Sequence, residues 1–303
     1  MISEAIIQSL KRLLGEDNVL VSEPMKKHTT FRIGGDADVL ARITGKEQLA
    51  KVLKYLGQVE VPYYVLGNGS NLLVSDEGYR GVILEIGDKM SEVLAEGNCL
   101  ICQAGAPMAK VARTALENGL AGFEFAAGIP GTIGGGVVMN AGAYGGELKH
   151  VVTQVTVLDR EGEELVFDNE TMEFGYRTSL IKKYPYIVTE VRVQLEEGDR
   201  NVIKEKMDDL AARRREKQPL EYPSAGSTFK RPEGYFAGAL IQEAGLKGYT
   251  VGGAQVSQKH SGFVINKGDA TAEDVRNLMA HVRKTVKEKT GVTLEPEVIY
   301  LES

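Results

Sequence analysis

Three short polar segments carry side chains suited to proton or anion chemistry. Ser227 lies in Ser224-Ala225-Gly226-Ser227-Thr228-Phe229-Lys230-Arg231-Pro232. A serine between glycine and threonine can stand exposed on a tight loop. No histidine lies near it in sequence, so it is not an obvious triad nucleophile, and a turn serine is the plain alternative. Arg177 follows Gly175-Tyr176 in Phe174-Gly175-Tyr176-Arg177-Thr178-Ser179. Its guanidinium can grip a carboxylate bidentately or simply stack on the neighbouring tyrosine. Glu295 and Glu297 flank Pro296. In an extended chain they share a face, and their mutual repulsion would leave one protonated near neutral pH; an exposed edge strand is the alternative. Lys217, Lys230 and Arg231 lie close by and suit a diphosphate. Arg213-Arg214-Arg215 read as a solvated helix face.

Two glycine-rich segments could hold a ligand by backbone alone. Gly67-Asn68-Gly69-Ser70-Asn71 follows an apolar strand, and glycines let successive N–H groups converge on phosphate oxygens. The segment is not a dinucleotide fingerprint, because Leu72 stands where the third glycine belongs. It is not a P-loop either, because no Gly-Lys-Ser/Thr follows. Gly128-Ile129-Pro130-Gly131-Thr132-Ile133-Gly134-Gly135-Gly136 is too glycine-rich for an ordinary helix or strand core, at ~0.5–1 kcal/mol per glycine relative to alanine. It implies backbone lying flat against a ligand or a tight backbone crossing. The only cysteines, Cys99 and Cys102, form a C-x-x-C pair. A redox or zinc reading lacks a second pair or a nearby histidine. On a strand, positions three apart point to opposite faces, so small buried cysteines are the better reading.

These segments need a frame, and hydrophobic periodicity supplies one. Residues 3–14 read as an amphipathic helix. Residues 36–43 read as a strand, 46–57 as a helix and 61–66 as a strand ending in the first glycine loop, with a further strand at 82–86. A strand at 100–104 and a helix at 108–118 precede the second glycine segment. Strands fill 151–193, with a hairpin turn at Asp159-Arg160-Glu161-Gly162. A charged helix spans 201–217, and a domain boundary is expected just before it, near 196–199. The last part holds a loop at 218–234, a helix at 237–244, a strand at 262–266 and a long helix. That helix is capped at Thr271 and stopped by Gly291. Final strands, interrupted at Pro296, span 292–301.

The bulk properties exclude little but are consistent. The 303 residues suggest two or three domains. An apolar share of 43% and a charged share of 26% suit a globular chain with its own core. A net charge of -6 argues against a general nucleic-acid binder. No apolar run is long enough for a membrane span, and the start Met1-Ile2-Ser3-Glu4 does not read as a signal peptide. The cytoplasm is the expected compartment and a monomer the expected state.

With these segments in view, the chain resembles UDP-N-acetylenolpyruvoylglucosamine reductases. The stretch Val65 to Leu73 looks like the pyrophosphate loop of the FAD-binding fold shared by vanillyl-alcohol oxidases (the PCMH type). Gly128 to Gly135, followed by Asn140-Ala141-Gly142-Ala143-Tyr144-Gly145, is similar to the reductases' second FAD segment. His28-Thr29-Thr30-Phe31-Arg32-Ile33-Gly34-Gly35 matches their opening motif, and the likeness continues to the C-terminus. The resemblance implies an α+β chain. An N-terminal lead-in covers 1–27. An FAD-binding domain at 28–195 has sub-domains near 28–84 and 85–195, and a substrate-binding domain covers 200–303.

The resemblance also implies residue roles. Non-covalent FAD would be held by Leu66, Gly67, Asn68, Gly69, Ser70, Asn71 and Leu72. Gly128, Ile129, Pro130, Gly131, Thr132, Gly134, Gly135, Asn140, Ala141 and Gly142 would complete its site. Arg177, Ser227 and Glu297 would be catalytic. Tyr176, Lys217, Lys230, Arg231 and His260 would contact a UDP-sugar enolpyruvyl ether. NADPH would donate hydride, in the substrate cleft and without a metal. Arg177 and Glu297 would stabilise the enolate-like carboxylate, and Ser227 would protonate C2, in the making of a peptidoglycan precursor. Only Leu180 to Tyr186 separates the Tyr-Arg motif from the next strand, so the chain resembles the shorter subtype, which lacks a lid insert. Two rivals remain at this stage. One is an oxidase of the same fold acting on an alcohol or sugar lactone, with His28 the nearest flavin tether. The other is a non-enzymatic nucleotide-binding module.

Overall fold

Apolar residues at helical spacing build most of the helices, and the computed structural model, which describes residues 2–303, places them in two units. Unit 1 takes residues up to Val21, then Val39–Asn68 and Gly81–Arg214; unit 2 takes Ser22–Asp38, Gly69–Arg80 and Arg215–Ser303. The charged helix stays with unit 1 as far as Arg214, and two early segments, including the His28–Gly35 motif, belong with the C-terminal part. The N-terminal helix belongs to unit 1.

In unit 1, helix α1 (Glu4–Leu14) buries Ile7, Leu10 and Leu14, and α2 (Lys46–Gln58) buries Leu49, Val52, Leu53 and Leu56. The expected strand–helix–strand run is present, but its strands are not neighbours. The four-stranded sheet runs Val19–Pro24, Asp36–Arg42, Tyr79–Glu85, Tyr63–Leu66. Tyr79–Glu85 lies between, parallel to Tyr63–Leu66 with Tyr63 opposite Val82. Almost wholly buried, it takes the central place that its apolar run Val82-Ile83-Leu84 demands. A second, antiparallel sheet orders Glu164–Asp168, Val152–Leu158, Ile187–Gln194, Cys99–Gln103 and Val93–Glu96. The hairpin at Asp159–Gly162 is as expected, closed by Asp159 N–H on the Glu163 carbonyl at 3.0 Å. Helix α3 (Met108–Glu117) presents Met108, Val111, Ala112 and Ala115 to the core.

The second glycine segment departs from expectation. It contains a short helix, α4 (Ile133–Val138), whose N-cap Thr132 accepts from the Gly135 N–H. The physical reason is steric. A Cβ at Gly134 would lie 2.8 Å from the Ala104 Cβ, and one at Gly136 2.9 Å from Leu148 Cδ1. The helix can nest there only without side chains, which outweighs the ordinary glycine penalty. Helix α5 (Arg200–Lys217) buries only Ile203; in unit 1 it is tied down by Lys206, 3.1 Å from the buried Glu124.

In unit 2, α6 (Ala237–Glu243) and α7 (Ala272–Thr290) cover a three-stranded antiparallel sheet of Thr250–Val251, Ala254–Val256 and Val264–Asn266. The capping box at Thr271 and Asp274 and the left-handed Gly291 terminator are both present. Asp76 adds a second cap, accepting from the Ala272 and Glu273 N–H groups at 2.8 and 3.0 Å. The final strand is shorter than expected. Only Ile299–Leu301 forms one, and it pairs in parallel with Leu72–Val74, the segment just after the first glycine loop. Among the described residues no helix is long and apolar enough to cross a membrane.

Candidate active site

The strand Tyr63–Leu66 ends where the first glycine loop begins, and the chain is not paired again until Leu72. No described group accepts from the N–H groups of Gly67, Asn68, Gly69, Ser70 or Asn71. Five successive unspent donors suit a polyanion. Gly69 has φ +58°, and a Cβ there would lie 2.1 Å from the His28 carbonyl oxygen, so glycine is obligatory. The flanking Leu66 and Leu72 are core residues, 2% and 3% exposed. Only their backbones can serve a ligand.

The second segment works differently, because most of its amides are spent. Ile133 and Gly134 N–H donate to the Ala106 and Ala104 carbonyls at 2.8 and 2.9 Å, and Gly136 N–H to Thr132 O at 2.8 Å. What it offers is shape. In unit 1, Gly67, Ala104, Thr132, Gly134, Gly135 and Val138 line a cavity of about 250 Å³ whose other walls include Tyr64, Tyr186 and Val188. Gly128 and Pro130 are exposed, Ile129 and Gly131 half-buried. Three residues that the resemblance gives to the cofactor also brace the framework. Asn140 is 1% exposed, and its side chain is fully used. It donates to Glu147 Oε2 at 2.8 Å and to the Gly175 carbonyl at 3.0 Å, and accepts from Lys149 N–H at 3.0 Å. Ala141 is buried with its N–H on Gly136 O, and Gly142 pairs with Glu147 in a two-stranded ladder.

Asn140 matters because Gly175 opens the turn that presents Arg177. Gly175 and Thr178 exchange backbone hydrogen bonds at 3.1 and 3.4 Å, leaving Tyr176 and Arg177 at the tip. Arg177 has φ +55°, a conformation costing ~1–2 kcal/mol for a non-glycine residue. The turn persists because both ends are held, Gly175 by Asn140 and the buried Ser179 by its Oγ on the Val138 carbonyl at 2.9 Å. The serine of the Tyr-Arg-x-Ser motif is therefore an anchor. Arg177 lies 5.4 Å from the exposed Tyr176 ring centroid, so the stacking reading is met as well.

In unit 2, Ser227 is exposed, between Gly226 at φ +74° and Thr228, which is 1% exposed. Thr228 is fixed three ways. Its N–H donates to Gly262 O at 2.8 Å, its Oγ1 accepts from Val264 N–H at 2.8 Å, and its carbonyl accepts from Glu297 N–H at 2.9 Å. The Ser227 loop and the Glu297 segment thus run side by side, with Phe229 bridged to Pro296. Glu295 is exposed and meets Lys230 Nζ at 3.2 Å.

The remaining expected contacts are scattered through unit 2. Lys217 ends α5, exposed. Arg231 lies over the Phe236 ring at 4.0 Å and donates to the Tyr235 carbonyl. His260 accepts the Gly262 N–H at Nδ1, 3.1 Å away. Burial pushes its pKa below the ordinary value, so it is neutral at pH 7 with Nε2 as donor. His28, the oxidase reading's tether, is engaged by Glu23 at 3.0 Å. Cys99 and Cys102 sit on one strand of the second sheet, and burial pushes the Cys102 thiol up to about 12. Under native conditions at pH 8, Cys102 should therefore stay unlabelled by a thiol reagent; rapid labelling would show a reactive group.

One residue was misread from sequence. Arg214 does not face solvent with its neighbours but packs inward in unit 1, with Gly128's missing Cβ only 3.1 Å from its Cδ. Burial presses its pKa below the ordinary guanidinium value, and Tyr144 acts against that shift. A half-buried guanidinium beside glycine backbone suits an anionic or carbonyl ligand. The only sequence signal was three arginines in a row, of which a helix can turn just one inward.

The glycine-walled cavity and the open amide of Gly67 beside it fit a flavin dinucleotide. The amides suit its diphosphate, and the cavity, free of carboxylates, has room for part of its length. A family model described as FAD binding domain matches residues 37–168. A second, described as UDP-N-acetylenolpyruvoylglucosamine reductase, C-terminal domain, matches residues 218–301. A solved 4-ethylphenol oxidase from Gulosibacter chungangensis, 15% identical, is similar over 63% of this chain and 42% of its own with a TM-score of 0.50, a likeness of fold alone. Fold and site together define an FAD-dependent oxidoreductase. UDP-N-acetylenolpyruvoylglucosamine reductase of Caldanaerobacter subterraneus subsp. tengcongensis is 52% identical over 98% of both chains. That of Clostridium perfringens is 54% identical over 95% of both. The crystal structure of the Thermus caldophilus enzyme is 36% identical with a TM-score of 0.80, over 94% of this chain and 98% of that one. This chain belongs to the UDP-N-acetylenolpyruvoylglucosamine reductase family.

Proposed function

We propose that this protein reduces UDP-N-acetylglucosamine enolpyruvate to UDP-N-acetylmuramate, with non-covalent FAD and NADPH as hydride donor, as a cytoplasmic step toward peptidoglycan. The observation that carries the reading is the exposed Ser227 set beside Glu297 by paired backbone, in a chain whose near full-length relatives are reductases of this name. The flavin would supply the hydride chemistry, with NADPH as donor and the vinyl carbon C3 as acceptor. The amides of Gly67 to Asn71 would hold its diphosphate, and Arg214 would serve one of its oxygens. As the new C3–H bond forms, the π electrons move toward C2 and the carboxylate. Arg177, projected from its anchored turn, stabilises that charge through a bidentate grip, and Glu297 shares the task. Ser227 gives its hydroxyl proton to C2 and is reprotonated from solvent with Lys217 assisting. Tyr176, Lys230, Arg231 and the Nε2–H of His260 serve the UDP-sugar.

NADPH oxidation should depend on the enolpyruvyl substrate and yield UDP-N-acetylmuramate by mass spectrometry. Equal oxidation without that substrate would sink the reading. Acid precipitation should release all the flavin, since His28 is held by Glu23. Replacing Arg214 with methionine removes one charge-assisted contact, worth ~1.5–3 kcal/mol. Flavin titration of apoprotein should then show FAD binding weakened by ~10–10²-fold. An unchanged Kd would take Arg214 out of the cofactor site.

A further inference from the structure

The first glycine loop ends at Asn71, and that residue does two things in unit 2. Its carbonyl accepts the Ile299 N–H at 3.0 Å, extending the parallel ladder that pairs Leu72 with Ile299. Its side-chain Nδ2 reaches one step further and donates to the Glu297 carbonyl at 3.0 Å. Glu297 needs such help, because the regular strand begins only at Ile299 and the residue before it, Pro296, has no N–H to offer. Both backbone groups of Glu297 are therefore held from outside its own segment, the N–H by the Thr228 carbonyl at 2.9 Å and the carbonyl by Asn71.

Thr30 holds the other proton-handling segment to the same loop. Its N–H donates to the Gly69 carbonyl at 3.2 Å and its Oγ1 to the Ser224 carbonyl at 2.7 Å, three residues before Ser227. The loop that offers its amides outward is thus tied through Thr30 to the Ser227 loop and through Asn71 to Glu297.

We infer that Asn71 is a positioning residue for Glu297: its side-chain amide fixes where that carboxyl stands, and its contribution to turnover runs through Glu297 rather than through cofactor affinity. This deepens the proposed function and rests on Glu297 acting while substrate is reduced. Hydrogen bonding of the amide supplies the mechanism. Alanine deletes the donor. Aspartate keeps the shape but sets a carboxylate against the Glu297 carbonyl, so it should do no better.

The test uses the FAD-loaded protein, reduced with NADPH and mixed with UDP-N-acetylglucosamine enolpyruvate at saturating FAD. Asn71→Ala and Asn71→Asp should each slow flavin reoxidation by roughly 10²-fold, the cost of ~1 Å of misplacement, and far more than they slow flavin reduction. The double variant Asn71→Ala/Glu297→Gln should be no slower than Glu297→Gln alone, the non-additivity of two changes acting through one group. Flavin titration of the apoproteins supplies a readout independent of turnover. Weakened FAD binding with normal reoxidation at saturation would overturn the inference and make Asn71 a cofactor contact. Additive losses in the double variant would also overturn it. Failure of the proposed function itself looks different: wild-type reduced flavin would not be reoxidised by the substrate, or Glu297→Gln would leave reoxidation unchanged.

Discussion

Ser227→Ala is expected to leave flavin reduction by NADPH nearly intact while slowing reoxidation by the enolpyruvyl substrate by ~10²–10⁴-fold, the usual worth of a positioned proton donor. The local structure makes this a chemical test. Ala225 is 3% exposed and Thr228 1% exposed. Thr228 is held by Gly262, Val264 and Glu297, and the left-handed Gly226 sets the turn. None of these contacts uses the Ser227 hydroxyl, so the loop should keep its path without it. An unchanged thermal melting curve would confirm that only the hydroxyl was lost. Stopped-flow traces of the two half-reactions decide the matter, and equal damage to both would show that Ser227 is not a specific proton donor. Glu297→Gln should follow the same pattern if its carboxyl acts in the second half-reaction.

The second large effect is expected at Arg177, where stability and activity should part company. The residue sits at φ +55° at the tip of a two-residue turn. Glycine accepts that conformation without the ~1–2 kcal/mol penalty, against an unfolded-state entropy cost of ~0.5–1 kcal/mol. Arg177→Gly should therefore melt within about 1 kcal/mol of the parent. It should nonetheless lose ~10²–10³-fold in reoxidation, the loss seen when a preorganised charge stabiliser is removed. Arg177→Lys keeps the charge without the planar fork and should recover only part. A strongly destabilised glycine variant would mean that the guanidinium holds the turn. A stable and fully active one would leave Arg177 outside the chemistry. Asn140 and Ser179, which hold the two ends of the turn, explain why the strained geometry survives.

Local patterns of residue type account for the framework. Helices α1, α2, α3 and α7 lie close to where the spacing of their apolar residues puts them, because that spacing reflects burial of one face and needs no knowledge of what covers it. The capping box at Thr271 and the hairpin at Asp159–Gly162 were legible for the same reason: their chemistry is complete within a few residues. The loop at Gly67–Asn71 reads as a phosphate-type turn, and the resemblance assigns it to a flavin.

The long-range partners of the candidate site residues came only from the tertiary structure. Gly134 and Gly136 prove to be packing glycines, because the atoms that exclude their side chains belong to Ala104 and Leu148. Asn140 braces the framework through three partners that spacing could not reveal. Arg214 packs against Gly128 while its neighbours face out, and Glu295 meets Lys230. The strand Leu72–Val74 pairs with Ile299–Leu301 from the far end of the chain and so brings Asn71 to Glu297. Periodicity records burial along one element. Partners distant in sequence are chosen by complementary shape, charge and unspent hydrogen bonds, which exist only once the elements have met.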